Sequence, residues 1–586
     1  MARCPRRVGL CPWDAVTEPS PLPPSSSPDA SSVSSASTAS TASTAAATAA
    51  TAATAATAAT AATGSAPATG SRVPVLDAVR ALAFVGDLSM GQPVDHSTRT
   101  AWLADRIAEA ARTEGLALGR DADQAPDHAG CVALLRWSGC TANAPEFSVL
   151  MGDDVGGRDA MLSNGSAEEA SALAGTLGEA ALIHCEVAGE IARLLGLPAN
   201  IERAMRHLFE TWNGHGKPEG LRGDEVPAVV FHVALAGDLE IFSRVHGVAA
   251  ALRYIGERSD AKYPKALVDL VTRHARTWMS ALEAGAHEGG ARAVGHDRGP
   301  GHDAGDLDAA LGSLGSLDKL ETPLELVADV IDLKLPWMTG LSRRVADAAR
   351  EAGAVLGFDA AALARLHRAG LLHGIGRASV PNAIWSEGRR LGEADREKLR
   401  LMSYWTGRAA RRLTALQAEA ELASYVDERM DGSGAFRSAA GAAIPMPARV
   451  LAAATAWVTL RTPRPGEPAL DTDAARAAMG REVAAGRLDP QAADAVCGAE
   501  RRRVVSPAPA PAPSAAGSAA GITLSARETE VLGRIAIGES NKEAAKVLGI
   551  SPATVRTHLE SAFRKLECST RAAATLKAMT MGLLTV

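Results

Sequence analysis

The sequence predicts an all-α protein in which two helical bundles in tandem precede a small C-terminal domain of four helices, behind a disordered N-terminus. Three observations lead to this prediction. Apolar residues recur every 3.6 positions in segments such as LSRRVADAAREAGAVLG, which begins at Leu341. No long segment alternates apolar and polar residues in the manner of strands. Helix-capping residues divide the last part of the chain into four short segments.

Composition divides the chain into six regions. Residues 1–71 are expected to be disordered, because the segment from 17 to about 70 contains mostly Ser, Thr, Pro and repeated Thr-Ala-Ala, which cannot offset the entropy of ordering. Two blocks, 72–283 and 307–505, are predicted to be ordered and are joined by a glycine-rich linker, 284–306. A second linker, 506–521, begins with stiff Pro-Ala and ends with flexible Gly-Ser. The last block is 522–586.

Charge and cysteine content limit the classes of function. The chain of 586 residues has a net charge of −6, yet from Thr523 onward basic residues outnumber acidic ones by three. A basic tail on an acidic body suggests a separate partner for the tail. The seven cysteines are scattered without a C-x-x-C pair, which favours a reducing compartment. No apolar run reaches the roughly 20 residues that span a membrane, so we expect a cytoplasmic protein without a membrane partner.

The two large blocks have similar sequences. WNGHGKPEGLRGDEVP (212–227) and MDGSGAFRSAAGAAIP (430–445) each place Gly-x-Gly before a loop that ends in an apolar residue and proline. A helical segment follows in both. Upstream, ALLRWSGCTANAPE (133–146) parallels GLLHGIGRASVPNA (370–383). We therefore expect one fold to occur twice.

The capping residues of the last block predict four helices, near 526–537, 541–548, 552–566 and 570–583. Ser525 with Glu528 and Ser540 with Glu543 have the spacing of capping boxes. Ser551 is an N-cap before a proline at the first helical position. The tight turn GIS joins the second and third helices, which is the spacing of a helix-turn-helix.

The motifs LSARETEVL, SNKEAAKVLGIS, TVRTHLESAFRKL and STRAAA resemble the LuxR/FixJ-type DNA-binding domain along its full length. The resemblance implies a four-helix bundle whose third helix contacts double-stranded DNA and whose fourth helix often forms a dimer. Helical periodicity also places Val555 on the inward, apolar stripe of the third helix. The residues expected to contact DNA are Asn541, Lys542, Thr554, Val555, Arg556, Thr557, His558, Arg564 and Lys565.

The second large block resembles the HD-GYP branch of the HD phosphohydrolases over about 325–470, through DLKLPWMTGLSRRVA, GLLHGIGRASVPNAIW, DERMDGSGAF and IPMPARVLAAATAW. Active members bind two or three metal ions through His and Asp side chains and hydrolyse phosphodiesters, typically cyclic di-GMP. Such chemistry needs anionic and imidazole ligands. The matching positions here are Leu341, His373-Gly374, Arg377, Met402, Val426-Asp427 and Thr455. Only His373 survives, with Asp427 as a substitute.

The first large block resembles the same family more distantly. It keeps His96 and His184, whereas the central pair is Arg136-Trp137 and the paired-histidine position is Leu208-Phe209. Further carboxylates are Asp238, one place past the expected aspartate, and the pair Asp153-Asp154. We expect no catalytic residue, no cofactor and no metal site, the weak metal candidates being His96, His184 and His373.

These observations predict a DNA-binding transcriptional regulator that acts as a homodimer. The HD-like domains would be a catalytically inactive sensor or dimerisation module, with room for an unidentified small-molecule effector. One alternative stays open: a metal-dependent HD phosphohydrolase, acting on cyclic dinucleotides or nucleotides, fused to a LuxR-type regulator.

Overall fold

The fold is all-α, as predicted, in a computed structural model that describes residues 71–116, 118, 128–164, 174–291, 317, 319–385, 390–464, 466–505 and 522–585. The predicted disordered segment, except its last residue, lies outside the described residues, as do linker 506–521 and most of linker 284–306. Within the described ranges, every helix is too short or too polar to cross a membrane.

The first bundle begins with a three-residue strand, β1 (Arg72–Pro74), that leads directly into a helix. Its helices are α1 (Val75–Ser89), α2 (His96–Thr113), α3 (Ala129–Leu135), α4 (Ala144–Met151), α5 (Gly156–Asn164), α6 (Ala174–Leu194), α7 (Ala199–Arg206), α8 (Ala228–His246), α9 (Val248–Gly256) and α10 (Lys265–Ala291).

The second bundle repeats this beginning with a strand, β2 (Glu321–Pro323), followed by a helix. Its helices are α11 (Leu324–Asp332), α12 (Leu341–Val355), α13 (Ala360–Leu372), α14 (Glu393–Arg400), α15 (Met402–Ala410), α16 (Gln417–Ala423), α17 (Met446–Leu460), α18 (Thr472–Ala484) and α19 (Pro490–Val505). In α12 the predicted stripe is buried, because Val345, Ala349 and Ala352 face the core.

Equivalent hydrogen bonds stabilise the two bundles. Asp87 at the end of α1 accepts from the backbone N–H of Ser97 at 3.1 Å and from its hydroxyl at 2.6 Å. Asp332 at the end of α11 accepts the same two bonds from Ser342, each at 2.8 Å. Both pairs are buried and ten residues apart. The same fold therefore occurs twice in tandem.

The two bundles share one hydrophobic core. Strands β1 and β2 pair antiparallel, with Val73 opposite Thr322. Buried apolar side chains from both bundles form a single continuous cluster, which includes Phe84 on α1 and Leu326 on α11. Between the bundles, the buried side chain of Lys334 forms an ion pair with Asp154 at 2.7 Å. Among the described residues the body is thus one packed unit, here called the HD body.

The C-terminal domain consists of α20 (Ala526–Ala536), α21 (Asn541–Leu548), α22 (Pro552–Leu566) and α23 (Arg571–Thr580). Both predicted capping boxes form, because Ser525 and Ser540 each accept the N–H of the glutamate three residues later and are bonded in return. Ser551 caps α22 as expected. The domain has a small core of its own, which includes Val531, Val555 and Leu566.

Candidate functional site

The third helix of the C-terminal domain, α22, exposes its polar face. The predicted DNA contacts that are exposed to solvent are Lys542, Thr554, Arg556, Thr557, Arg564 and Lys565. Asn541 and His558 are partly exposed. The side chain of Arg556 is 74% exposed, so the HD body leaves this face uncovered. The exposed row has the polar and cationic character that suits base edges and phosphates.

Val555 faces the interior of the C-terminal domain. It was predicted to contact DNA, yet its side chain is fully buried in the core of the C-terminal domain. The physical reason is its place on the inward stripe of α22, together with Leu559 and Leu566. A direct contact of Val555 with a base is therefore not supported by this structure.

Two of the exposed cations are already paired with carboxylates within the domain. Arg556 donates to Glu560 on the same helix at 2.8 Å. Lys565 donates to Glu528 at 2.7 Å and thereby joins α22 to α20. Burial would raise the pKa of Glu528, but hydrogen bonds from Lys565, Ser525 and Ser561 lower it to about 2. Lys565 consequently has a structural partner that DNA would have to replace.

The fourth helix, α23, packs against the HD body. Ala573 and Leu576 belong to the continuous core of the body, while Ala574, Ala578 and Met579 belong to the core of the C-terminal domain. Its neighbours in the body are α6 and α11. Just before α23, Ser569 donates its backbone N–H and its hydroxyl to the carboxylate of Glu186 on α6. The fourth helix, for which the LuxR/FixJ resemblance implies dimerisation, is thus covered by the HD body of the same chain.

In the first bundle, His96 is fully enclosed by its hydrogen-bond partners. Its Nδ1 lies 2.5 Å from a carboxylate oxygen of Glu240, and Arg136 contacts its Nε2. Since a guanidinium only donates, Nε2 accepts and Nδ1 carries the proton. Burial lowers the pKa of His96, which keeps the ring neutral. The guanidinium of Arg136 therefore uses the lone pair of Nε2, the nitrogen through which His96 would bind a metal ion.

The guanidinium of Arg136 fits beside His96 because the residue that faces it on α8, Gly237, has no side chain. A Cβ at Gly237 on α8 would lie 1.7 Å from Nη1 of Arg136. Burial lowers the pKa of Arg136 to about 10, while Asp238, Asp87 and Glu240 raise it. The group is therefore still a cation at neutral pH.

Glu240 is the buried anion at Nδ1 of His96, and its role was not predicted from the sequence. Its carboxylate is buried and forms ion pairs with Arg99 at 2.9 Å and with Arg244. Burial would raise the pKa of Glu240, but His96 and Arg244 hold it below its ordinary value. The feature of the sequence that could have indicated Glu240 is its position on α8, two residues after Asp238.

His184 and the nearby carboxylates are likewise engaged. His184 donates from Nε2 to the carbonyl of Arg136 at 2.8 Å, and burial lowers its pKa to about 4. Asp238 accepts from Lys262 at 2.6 Å. Asp154 accepts from Lys334 and from the backbone of Asn382. These groups serve internal hydrogen bonds.

The cleft of the second bundle is lined by apolar side chains together with charged ones such as Glu428, Arg429 and Glu482. Leu341, Met402, Val426, Asp427 and Thr455 line a cavity of only about 80 Å³. Asp427, the proposed substitute ligand, accepts the hydroxyl of Ser403 at 2.5 Å.

The surviving histidine, His373, does not line this cavity and is buried. It donates from Nδ1 to the carbonyl of Gly370 at 2.6 Å and accepts from Arg377 at 2.9 Å. Burial and the neighbouring Arg377 lower its pKa to about 3. An arginine side chain thus engages His96 in the first bundle and His373 in the second.

The first bundle contains a much larger cavity, of about 510 Å³. Its walls include Arg136, Trp137, Phe147, Arg158 and His184, and it extends to Lys217. In the part of the chain that the structure describes, no three His, Cys, Asp or Glu side chains are arranged to hold a metal ion. The residues present therefore fit an anion better than a divalent cation.

Two family models match the chain. A model described as HD domain matches residues 325–492, and a model described as bacterial regulatory proteins, luxR family, matches residues 522–578. The chain therefore contains an HD domain and a C-terminal LuxR-type DNA-binding domain.

The similar proteins are of the same two kinds. The 3'3'-cGAMP-specific phosphodiesterase 3 of Vibrio cholerae is 25% identical over 436 residues, which cover 69% of this chain and 90% of that protein. The probable transcriptional regulatory protein NarL of Mycobacterium tuberculosis is 39% identical over 107 residues, 18% of this chain and 42% of that protein. A crystal structure of a cyclic GMP-AMP specific phosphodiesterase of V. cholerae is 21% identical with a TM-score of 0.49, covering 74% of this chain and 98% of that one.

Proposed function

We propose that this protein is a transcriptional regulator that binds a specific double-stranded DNA sequence as a homodimer in the cytoplasm, and that its HD body senses or assembles without hydrolysing. The observation that carries the proposal is the contrast between its parts. The cationic face of α22 is open to solvent, whereas arginines engage His96 and His373.

The chemistry of the cleft supports the absence of hydrolysis. Leu341, Met402 and Val426 stand where the HD-GYP resemblance expects metal ligands, and none of these side chains can ligate a hard divalent cation. A bound metal must activate water in that family. Among the described residues, no three His, Cys, Asp or Glu side chains are placed together to hold such a metal ion.

A second candidate function is favoured by one comparison. The chain is similar to 3'3'-cGAMP-specific phosphodiesterase 3 over 90% of that protein. This similarity supports a metal-dependent phosphodiesterase of cyclic dinucleotides, with regulation through the LuxR-type domain.

One experiment separates the two candidates. Full-length protein, purified with and without added manganese or iron(II), is analysed for bound metal, assayed for hydrolysis of 3'3'-cGAMP, and used to select DNA from a random pool. We expect enrichment of one two-fold symmetric DNA sequence, without stoichiometric metal and without turnover. Turnover that depends on the added metal would establish the phosphodiesterase, and failure to enrich any sequence would refute the regulator.

A further inference from the structure

Two buried guanidinium groups line the large cavity of the first bundle without a carboxylate partner. Arg158 is fully buried, and its hydrogen bonds go to the carbonyls of Ser89 and Cys140 and to the amide of Asn143. Arg136 bonds to the neutral ring of His96. Neither arginine forms an ion pair with any carboxylate of the described chain. The Nε of each is buried and has no hydrogen-bond partner.

Such an arrangement is costly unless an anion completes it. A buried charge is normally paired, because removal from water costs several kcal/mol per ion. Asp238, which could balance the charge, is engaged by Lys262 at 2.6 Å, and Asp87 is engaged by Ser97. Glu210, also in the wall, accepts the backbone N–H groups of Glu219 and Gly220. Four cationic side chains of the lining (Arg136, Arg158, Lys217 and Lys262) stand against two carboxylates (Glu210 and Asp238), so the cavity has a surplus of positive charge.

The other residues that line the cavity indicate what else, besides an anionic group, a ligand would carry. Trp137, Phe147 and Phe209 line the same cavity, and Nε1 of Trp137 is a buried donor without a partner. Lys217 and His215 are exposed members of the lining, so further basic groups lie where the cavity meets solvent. A volume of about 510 Å³ suits a small organic molecule.

We propose that this cavity binds an organic phosphate that carries a flat ring, with Arg136 and Arg158 facing the phosphate and the aromatic side chains facing the ring. Arginine favours phosphate because its planar fork donates two parallel hydrogen bonds. Binding requires no metal ion. The proposal deepens the sensor role of the HD body and rests on the proposed function for its biological meaning.

The site also has a direct connection to the DNA-binding domain. His184 lines the cavity, and Glu186, two residues later on α6, bonds to Ser569 of the C-terminal domain. The cavity and the docked domain therefore share one helix.

The test is calorimetric titration of the full chain in EDTA with adenosine 5'-monophosphate (AMP), adenosine, inorganic phosphate and benzoate. We expect saturable binding of one AMP per chain. Adenosine and inorganic phosphate should each bind at least about tenfold more weakly, since a charge-assisted hydrogen bond contributes ~1.5–3 kcal/mol. If benzoate bound as tightly as AMP, the proposal that the cavity recognises phosphate would be wrong. If inorganic phosphate bound as tightly as AMP, the proposal that the cavity recognises a flat ring would be wrong.

Variants test the location. Arg158→Met should abolish AMP binding, and Lys217→Gln, an exposed position where folding is preserved, should weaken it about tenfold. Lys265→Gln, an exposed lysine outside the cavity lining, is the matched control and should bind as the wild type does. Absence of AMP binding by the folded wild type, or affinity unchanged by Lys217→Gln, overturns the proposal. DNA binding is measured on the same samples, so failure of the regulator is recognised separately.

Discussion

Glu240 and His96 lie 2.5 Å apart in a fully buried pair, and this contact decides which ring nitrogen of His96 carries the proton. Because the Nδ1 proton is held by the carboxylate, Nε2 is left as an acceptor for Arg136. His96, a weak metal candidate on sequence grounds, is thus the centre of an internal charge cluster.

Glu240→Ala should destabilise the protein by about 3–5 kcal/mol, because Arg99 and Arg244 would be left without their shared buried anion. The measurement is urea denaturation of the full chain. Glu109→Ala, which removes an exposed partner of Arg106, is the control and should cost less than about 1 kcal/mol. Equal effects of the two substitutions would contradict the buried cluster.

His373 should make stability depend on pH. Its pKa is about 3 in the fold against an ordinary value of 6.5, so the unfolded chain binds the extra proton between these values. Stability should therefore fall as pH drops below 6.5, and this residue should contribute a slope of ~1.4 kcal/mol per pH unit. Denaturation at pH 6.5, 5.5 and 4.5 should give a shallower slope for His373→Gln.

Arg556→Ala should weaken binding to the selected DNA, by about 1–3 kcal/mol if Arg556 contacts a base. Lys565→Ala should weaken binding to all sequences and reduce the salt slope by about one, since it would contact phosphate. Binding is measured by fluorescence anisotropy at several salt concentrations. Arg527→Ala, an exposed arginine on α20, matches the charge change and should have little effect. The assignment of α22 is refuted if all three variants bind alike.

Glu186→Ala should loosen the docking of the C-terminal domain, because Ser569 loses both hydrogen bonds to α6. Hydrogen exchange of the full chain should show faster exchange at Ser569 and along α23, which sits on the HD body through Ala573 and Leu576. Glu179→Ala, an exposed glutamate on the same helix, is the control. If exchange in α23 is unchanged by Glu186→Ala, this contact does not hold the domain.

Local signals predicted the C-terminal domain well. Ser525 and Ser540 form their capping boxes, and the helix bounds of α21 and α22 agree with the prediction, because caps act over three or four residues. The two equivalent hydrogen-bonded pairs, Asp87 with Ser97 and Asp332 with Ser342, are also local, because the partners in each pair are ten residues apart.

Long-range partners could not be predicted. Nothing near Arg136 in the sequence indicates that it contacts His96, 40 residues away, or that Gly237 makes room for it. Arg158 has no motif, and only the fold brings it to the same cavity as Arg136. The sequence also suggested two bundles separated by a linker, whereas Lys334 and Asp154 show that they pack directly.

The pairing of β1 with β2 has a consequence for any attempt to divide the protein. Each strand is three residues long and finds its partner in the other bundle. A piece that holds one bundle would present a bare strand edge and an apolar face from the severed core, and such surfaces promote aggregation or exchange of strands between copies. We therefore expect the smallest independently folding portion to include both bundles.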